Sequence, residues 1–314
     1  MRRDRVLVIG DVIIDEYNYG KPLGLSAETP TIVANLQKQE TFIGGAGLVV
    51  RHLLRLGAQV DLITVIGSNE KSLFSLICDS SDPFAGDVGD FLDSDEAERF
   101  FCEPIRVVQW QTTRKIRNFV GGYKILQYDV RNTVQLDDAV RKRLIIQFHE
   151  LLSSAKKVVI CDNRHGVIDE LLAKYIVQEC KKANVPVFID SQCSQHSSNY
   201  EWYRGADVFF MNEHELELQV RALVGLADTT SVTRWLQAER ILCKEGPAGA
   251  TEFWTTGARN SVPGEKVATV DTCGAGDAFL AAYVVTDSLQ LANHWAALST
   301  TYLGTIVPKE KLNG

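Results

Sequence analysis

The chain has 314 residues, of which 45% are hydrophobic and 23% charged, with a net charge of −7 at neutral pH. That is enough apolar material for one large α/β domain or two small ones around a substantial core. The negative balance argues against a non-specific nucleic-acid binder, which needs clustered Lys and Arg to neutralise phosphate.

The first predicted element is "RVLVIGDVIID", a strand buried on both faces and ending at Gly10-Asp11. The basic start "MRRDRVLVIG" has the look of a shortened signal peptide, but Asp11 and Asp15 interrupt the apolar run and no small-residue cleavage site follows. No uncharged stretch is long enough to span a bilayer, so the expectation is a soluble, cytoplasmic chain without membrane partners. Residues 12–42 carry short β-like runs with polar alternation. "GGAGLVVRHLLRLGA" is a glycine-rich turn and then a helix, with Val49, Leu53, Leu54 and Leu56 on its apolar face and Gly57 as its stop. "QVDLITVIG" is the next strand, and "CDSSDPFAGDVGDFLDSDEAERF" is an acidic, turn-rich excursion with a short helix.

"RVVQWQTTRKIRNFVGGYKILQYDV" alternates on both sides of Gly121-Gly122, a hairpin pattern. A helix over 136–154, the strand "KKVVICD" to Asp162, the helix "IDELLAKYIVQECKKANV" and the strand "PVFID" to Asp190 follow. "ADVFFMN" ends at Asn212 and "ERILCKEG" at Gly246, and two helices close the chain. Strands alternating with helices, most stopping at Asp, Asn or Gly, predict a doubly wound, mainly parallel sheet flanked by helices, with a polar crevice at its carboxyl edge. The segments 12–42 and 105–130 break that rhythm and are expected to form a small β-sheet lid over the crevice. No linker divides residues 1–314, which read as one domain. Seven cysteines, an odd count with no C-x-x-C pair, argue against a disulfide framework or a zinc site and read as reduced thiols.

Chemistry concentrates in "VDTCGAGDAFLAAYVV", residues 270–285, behind a β-branched lead-in over 267–270. The first turn of a helix has unpaired N–H groups and partial positive charge, and glycines let an anion approach them. Gly274, Ala275 and Gly276 would make such an anion hole. Asp277 cannot partner the anion, because like charges repel. It fits a general base that takes the proton of an attacking hydroxyl while the hole holds the electrophile. Phosphoryl transfer to an alcohol needs that arrangement. A tight turn with an aspartate cap is the plain alternative. A Rossmann loop fits poorly, since the full G-x-G-x-x-G is absent, and no Walker A motif occurs.

"DTCGAGDAF" resembles the D-T-x-G-A-G-D signature of the ribokinase-like (PfkB) carbohydrate kinases. Gly10, Asp11 and Asp15 resemble that family's opening, where aspartates bind sugar hydroxyls, and "GGAG" resembles its di-glycine motif at Gly44 and Gly45. "MNEHE" resembles its N-x-x-E motif, which implies that Asn212 and Glu215 organise magnesium and phosphate through water. "KEGPAG", with Lys244 and Gly246, resembles the strand-turn beside the nucleotide. Within the family, "GDVIIDEYNYGKPLGLSAETP", "TTRKIRNF" and "YRGADVFFMNEHELE" resemble the bacterial heptose 7-phosphate kinases, which implies that Lys115 and Arg117 meet an anionic sugar. Three positions depart from the pattern. Leu48 stands where the family supplies a sugar-binding asparagine, Gln192 where heptose kinases have the lysine of D-P-K, and Ser68-Asn69-Glu70 where many members have G-x-D. A sugar hydroxyl left unpaired at Leu48 would cost about 1–3 kcal/mol.

The resemblance implies ATP and magnesium as cofactors, a sugar or sugar phosphate as acceptor, and a homodimer paired through the lids. Asp271 and Thr272 are candidates for oxygens on a monovalent cation, with strand-end capping the plain alternative. Lys115 and Arg117 alternate and so share a face, for which solvent exposure is the bland reading, as it is for Lys244. Asp162 and Asp190 close strands at the crevice, where site residue and helix cap are equally open. His149, His165, His196, His214 and His294 show no H-x-x-x-H spacing and read as structural or surface. The alternatives to a heptose 7-phosphate kinase are a fructokinase- or ribokinase-like enzyme, a non-catalytic sugar or nucleotide sensor on the same fold, and a dehydrogenase.

Overall fold

β1 (Arg5–Gly10) is apolar at every position from Val6 to Ile9, and alternate residues serve opposite faces. Val6 and Val8 enter one hydrophobic core, Leu7 and Ile9 the other, as a strand covered by helices on both sides requires. The structure is a computed structural model that describes residues 4–70, 93–193, 197–222 and 228–310. After Asp11 the chain leaves the core for β2 (Val12–Leu25) and β3 (Ile32–Gly45), then returns through α1 (Ala46–Arg55) to β4 (Gln59–Ile63) and β5 (Val65–Gly67). α2 (Ser94–Glu98), β6 (Phe100–Cys102), β7 (Ile105–Val107), β8 (Thr113–Val120) and β9 (Tyr123–Val130) come next. The second half runs α3 (Asp138–Leu152), β10 (Lys157–Asp162), α4 (Glu170–Ala183), β11 (Val187–Ser191), β12 (Val208–Asn212), α5 (Glu213–Ala222) and α6 (Thr229–Leu236). It ends with β13 (Arg240–Lys244), β14 (Gly249–Trp254), β15 (Arg259–Pro263), α7 (Ala275–Thr286) and α8 (Leu289–Ser299).

The larger sheet has the order β15-β14-β13-β12-β11-β10-β1-β4-β6. From β6 to β13 neighbours pair in parallel, and β14 and β15 add an antiparallel edge. This is the expected α/β architecture, a mainly parallel sheet with a separate small sheet. The small sheet has the order β3-β2-β8-β9, in which β2 and β8 run parallel and the outer pairs antiparallel. β7 lies elsewhere, paired with β5 in a two-stranded sheet, so the segment expected at 105–130 contributes to the small sheet only from Thr113.

Two further expectations change. "QVDLITVIG" is two strands, because Thr64 breaks the run and its hydroxyl donates to the Gly10 carbonyl at 2.8 Å. The lead-in 267–270 forms no strand. Of the acidic excursion, residues 71–92 lie outside the described residues, while α2 is a short helix closed by a reciprocal Asp93–Glu96 capping box. Sequence-local caps also start α3 and α4, where Asp137 and Asp169 accept from Val140 and Leu172 N–H. α7 is different. Its residues from Ala278 to Val284 are all buried, and its N-cap is Gly274, at φ +81°, with no side chain capping the first turn. Among the described residues no helix is long and apolar enough to cross a membrane.

Candidate active site

The bare first turn of α7 points into a hollow of about 190 Å³ at the carboxyl edge of the large sheet. Asp190 at the end of β11, Asn212 at the end of β12 and Lys244 at the end of β13 face it, with Gly276 and Asp277 opposite. A Cβ at Gly274 would strike the Leu48 side chain, and one at Gly276 would lie 3.3 Å from Lys244 Nζ. Both glycines therefore let other groups close on the loop, and the positive φ at Gly274 adds a second reason for glycine there.

Asp277 sits in the first turn of α7. Its carboxyl is pushed up to about 7, chiefly by burial and then by the charge of Asp190, against the pull of Lys244 and Lys115. A carboxylate near neutrality, beside uncapped helix N–H groups, can accept a proton while those groups stabilise charge developing on an oxygen. A cleft of about 410 Å³ adjoins the hollow and shares Asn212, Lys244 and Gly276 with it. Val267, Phe279, Ala296 and Ala297 give the cleft apolar walls, and Gly246, Thr272 and Ala275 lie on its lining. Its size and walls suit a flat base such as that of a nucleotide.

On the other side of Asp277 the small sheet brings Asp15 and Lys115 opposite each other in register on β2 and β8. Lys115 acts electrostatically on both Asp15 and Asp277. Arg117 forms a buried ion pair with Asp15, and its Nη2 lies 3.6 Å from Cys273 Sγ, in the variable position of the D-T-x-G-A-G-D motif. Asp15 is nevertheless raised above the ordinary carboxylate range, because burial outweighs the two cations. A side chain at Gly44 would collide with the Asp15 carboxylate, so that glycine keeps space for it.

Several expected residues have other employment. Asp11 is buried and its carboxylate accepts from the N–H groups of His165 (3.2 Å) and Val167 (3.0 Å), so backbone takes up part of its acceptor capacity. Gly45, at φ +57°, abuts the Asp11 carbonyl and the Asn163 amide and serves backbone packing. Asn212 and Glu215 form a reciprocal capping box on α5, each side chain accepting from the other's backbone N–H at 2.8 Å. Both still line the hollow. Asp271 clasps two loops: Oδ1 accepts from Cys273 N at 3.0 Å, and Oδ2 from Gly304 N at 3.1 Å and Tyr17 Oη at 3.4 Å. These bonds tie the segment before α7 to the loop at Gly304 and to Tyr17 on β2. Among the described residues no three His, Cys, Asp or Glu side chains gather closely enough to hold a metal ion.

Of the open candidates, Asp162 is structural, accepting from Tyr203 Oη, Asn199 Nδ2 (both 2.6 Å) and Arg164 N (2.8 Å). Asp190 belongs to the site, bound to Lys244 at 2.9 Å. That pair spans 54 positions and leaves no local pattern in the sequence. Glu70, in the departing Ser68-Asn69-Glu70, bonds Arg114 at 2.8 Å, and Arg114 also holds Glu16, so the segment ties β5 to the small sheet. His196 and Cys78 lie outside the described residues.

Against known proteins, a family model described as pfkB family carbohydrate kinase matches residues 123–312. The bifunctional protein HldE of Bradyrhizobium diazoefficiens is 29% identical over 320 residues, which cover 96% of this chain and 60% of that protein. HldE of Trichlorobacter lovleyi is 27% identical over 323 residues, covering 98% of this chain and 62% of that one. The chain thus spans about three-fifths of the length of these relatives. Arabidopsis thaliana ribokinase, solved with ribose and ATP, superposes with a TM-score of 0.69 at 18% identity, covering 98% of this chain and 96% of its own. Phosphofructokinase-2 of Escherichia coli, solved with potassium, gives a TM-score of 0.72 at 16% identity over 98% of this chain and 95% of its own. The match over more than half of the chain, with an aspartate in the first turn of a helix that no side chain caps, leads to one conclusion: this chain belongs to the pfkB family of carbohydrate kinases, ATP-using phosphotransferases with an alcohol as acceptor.

Proposed function

We propose that the chain transfers the terminal phosphoryl group of ATP to a hydroxyl of a sugar phosphate of the heptose 7-phosphate type. The observation that carries the reading is Asp277, held near neutrality at the uncapped start of α7 between the nucleotide-sized cleft and the Asp15–Lys115 face of the small sheet. Asp277 takes the proton of the attacking hydroxyl, and the N–H groups of Gly274, Ala275 and Gly276 receive charge on the transferring group. Asp15 orients sugar hydroxyls, Gly44 leaves room for it, and Lys115 supplies a cation for the sugar's own phosphate.

Asn212 and Glu215 on the lining of the hollow would hold magnesium through water, and the ion would supply charge neutralisation on the nucleotide phosphates. The small sheet closes over the acceptor as a lid and excludes water, and the chain from 1 to 314 works as one kinase unit. The likeness of "GDVIIDEYNYGKPLGLSAETP" and "TTRKIRNF" to the heptose 7-phosphate kinases supports the heptose assignment. We also propose a homodimer built on the small sheet, where Leu25, Leu36, Leu126 and Tyr128 stand exposed.

One observation favours a neutral sugar instead. Arg117 is held by Asp15 and Cys273, leaving Lys115 alone to meet an anion. A coupled assay over heptose 7-phosphate, fructose and ribose separates the two. Highest kcat/KM with the heptose phosphate is the expected result, preference for a neutral sugar supports the second reading, and no sugar-stimulated ATP turnover overturns both in favour of a sensor.

A further inference from the structure

Lys244 occupies an unusual place for a cation. It ends β13, and its acidic partner Asp190 ends β11, with β12 between them. Two strand spacings amount to roughly 10 Å, so the side chain must extend across the carboxyl edge of the sheet, past Asn212, to bring Nζ within 2.9 Å of Asp190 Oδ2. It ends against Gly276, whose missing side chain leaves the room it fills. The positive end of a helix repels a neighbouring ammonium, yet here the ammonium and the uncapped α7 turn face one void. Asp190 takes one of three N–H donors on Nζ. Asp190, Glu215 and Asp277 surround the lysine and keep it protonated. Lys244 and the uncapped turn thus place two anion-binding features on one hollow, beside the carboxylates of Asp190, Glu215 and Asp277.

The second observation is Gln192. It lines the same hollow from the end of β11 and is neutral. Lys244 is the only Lys or Arg on the lining of that hollow among the described residues.

We propose that Lys244 grips the terminal phosphate of the nucleotide together with the α7 N–H groups, and that Asp190 is the positioning residue that aims it. The inference rests on the kinase reading and assigns its phosphoryl-binding cation. Charge here is worth most when the phosphate is in place, since removing a single donor to developing oxyanion charge typically costs about 100- to 1,000-fold in kcat.

The test compares affinities for ADP and a non-hydrolysable ATP analogue, each with magnesium, by calorimetry, and so needs no turnover. Lys244→Met is expected to weaken the analogue about tenfold more than ADP, the loss of one charge-assisted hydrogen bond. Lys244→Gln, which still donates to Asp190, is expected to do the same and serves if the methionine variant fails to fold. Adding Gln192→Lys to Lys244→Met is expected to recover most of the lost preference. Asp190→Asn is expected to lower the preference in the parent chain and to change nothing further in the Lys244→Met background. Equal weakening of both nucleotides, an unchanged preference, or an additive effect of Asp190→Asn overturns the assignment. Sugar-dependent turnover of the unaltered chain tests the kinase reading separately, so the two can fail independently.

Discussion

Arg117 on β8 and Asp15 on β2 form an ion pair with side chains only 10% and 5% exposed, and the guanidinium also lies 5.1 Å from the Tyr17 ring centroid. The pair turns a residue expected to meet substrate into one that supports another. Removing one member strands a buried charge, which typically costs about 3–5 kcal/mol. Arg117→Ala should therefore lower stability by about that amount in chemical denaturation and raise the KM for sugar, through displacement of Asp15. Unchanged stability would show that the pair is not buried in solution.

Asp277→Asn should reduce kcat by about 100- to 10,000-fold, the usual contribution of a general base, while affinity for the ATP analogue stays within about twofold. Steady-state kinetics and calorimetry check the two halves. Retained turnover would remove Asp277 from its role.

The pH dependence follows from the same group. Asp277 must be ionised to accept a proton, so kcat should fall on the acid side with a midpoint at about 7. For stability the direction is opposite. A carboxyl raised from 3.8 to about 7 contributes stability that is complete below pH 3.8 and lost as pH rises through 7. Asp277→Asn should gain on the parent chain in melting temperature between pH 4 and pH 8. Asp11 is also raised to about 7 by burial and by Asp162, so the difference between parent and variant isolates Asp277.

Gly274→Ala should impair both folding and turnover, because φ is +81° there and the new methyl would meet Leu48. Leu48 is buried, so Leu48→Ala should cost about 2–5 kcal/mol and partly relieve Gly274→Ala in the double variant. Thermal melts of the four chains test this coupling.

Leu25→Lys combined with Leu126→Lys should convert a dimer into a monomer in sedimentation without unfolding it, since both side chains are exposed, at 69% and 55%. A parent chain that sediments as a monomer would dispose of the proposed pairing.

Much of the large sheet could be read in advance because its information is local. Alternation, strand-ending Asp and Asn, and caps such as Asp137 and Asp169 act over a few residues. The same holds for the α7 loop, where glycines, aspartate and the apolar helix are contiguous. The misreadings have equally physical origins. Ile105–Val107 alternates like the strands after it, but its partner is β5, and partner choice is not written in periodicity. The family resemblance makes Asp11 a sugar ligand, and the two backbone N–H groups from the loop after β10 that its carboxylate accepts from are a long-range contact no local pattern announces.

The amino-acid order by itself determined an α/β sheet with a phosphate-sized bare turn and an acid behind it, since neighbours in sequence build both. Only the tertiary structure decided which charges meet. Asp15 with Arg117, Asp190 with Lys244, and Leu48 under Gly274 each join segments far apart in the chain. Their energies depend on distance and burial, and both exist only once the strands have paired.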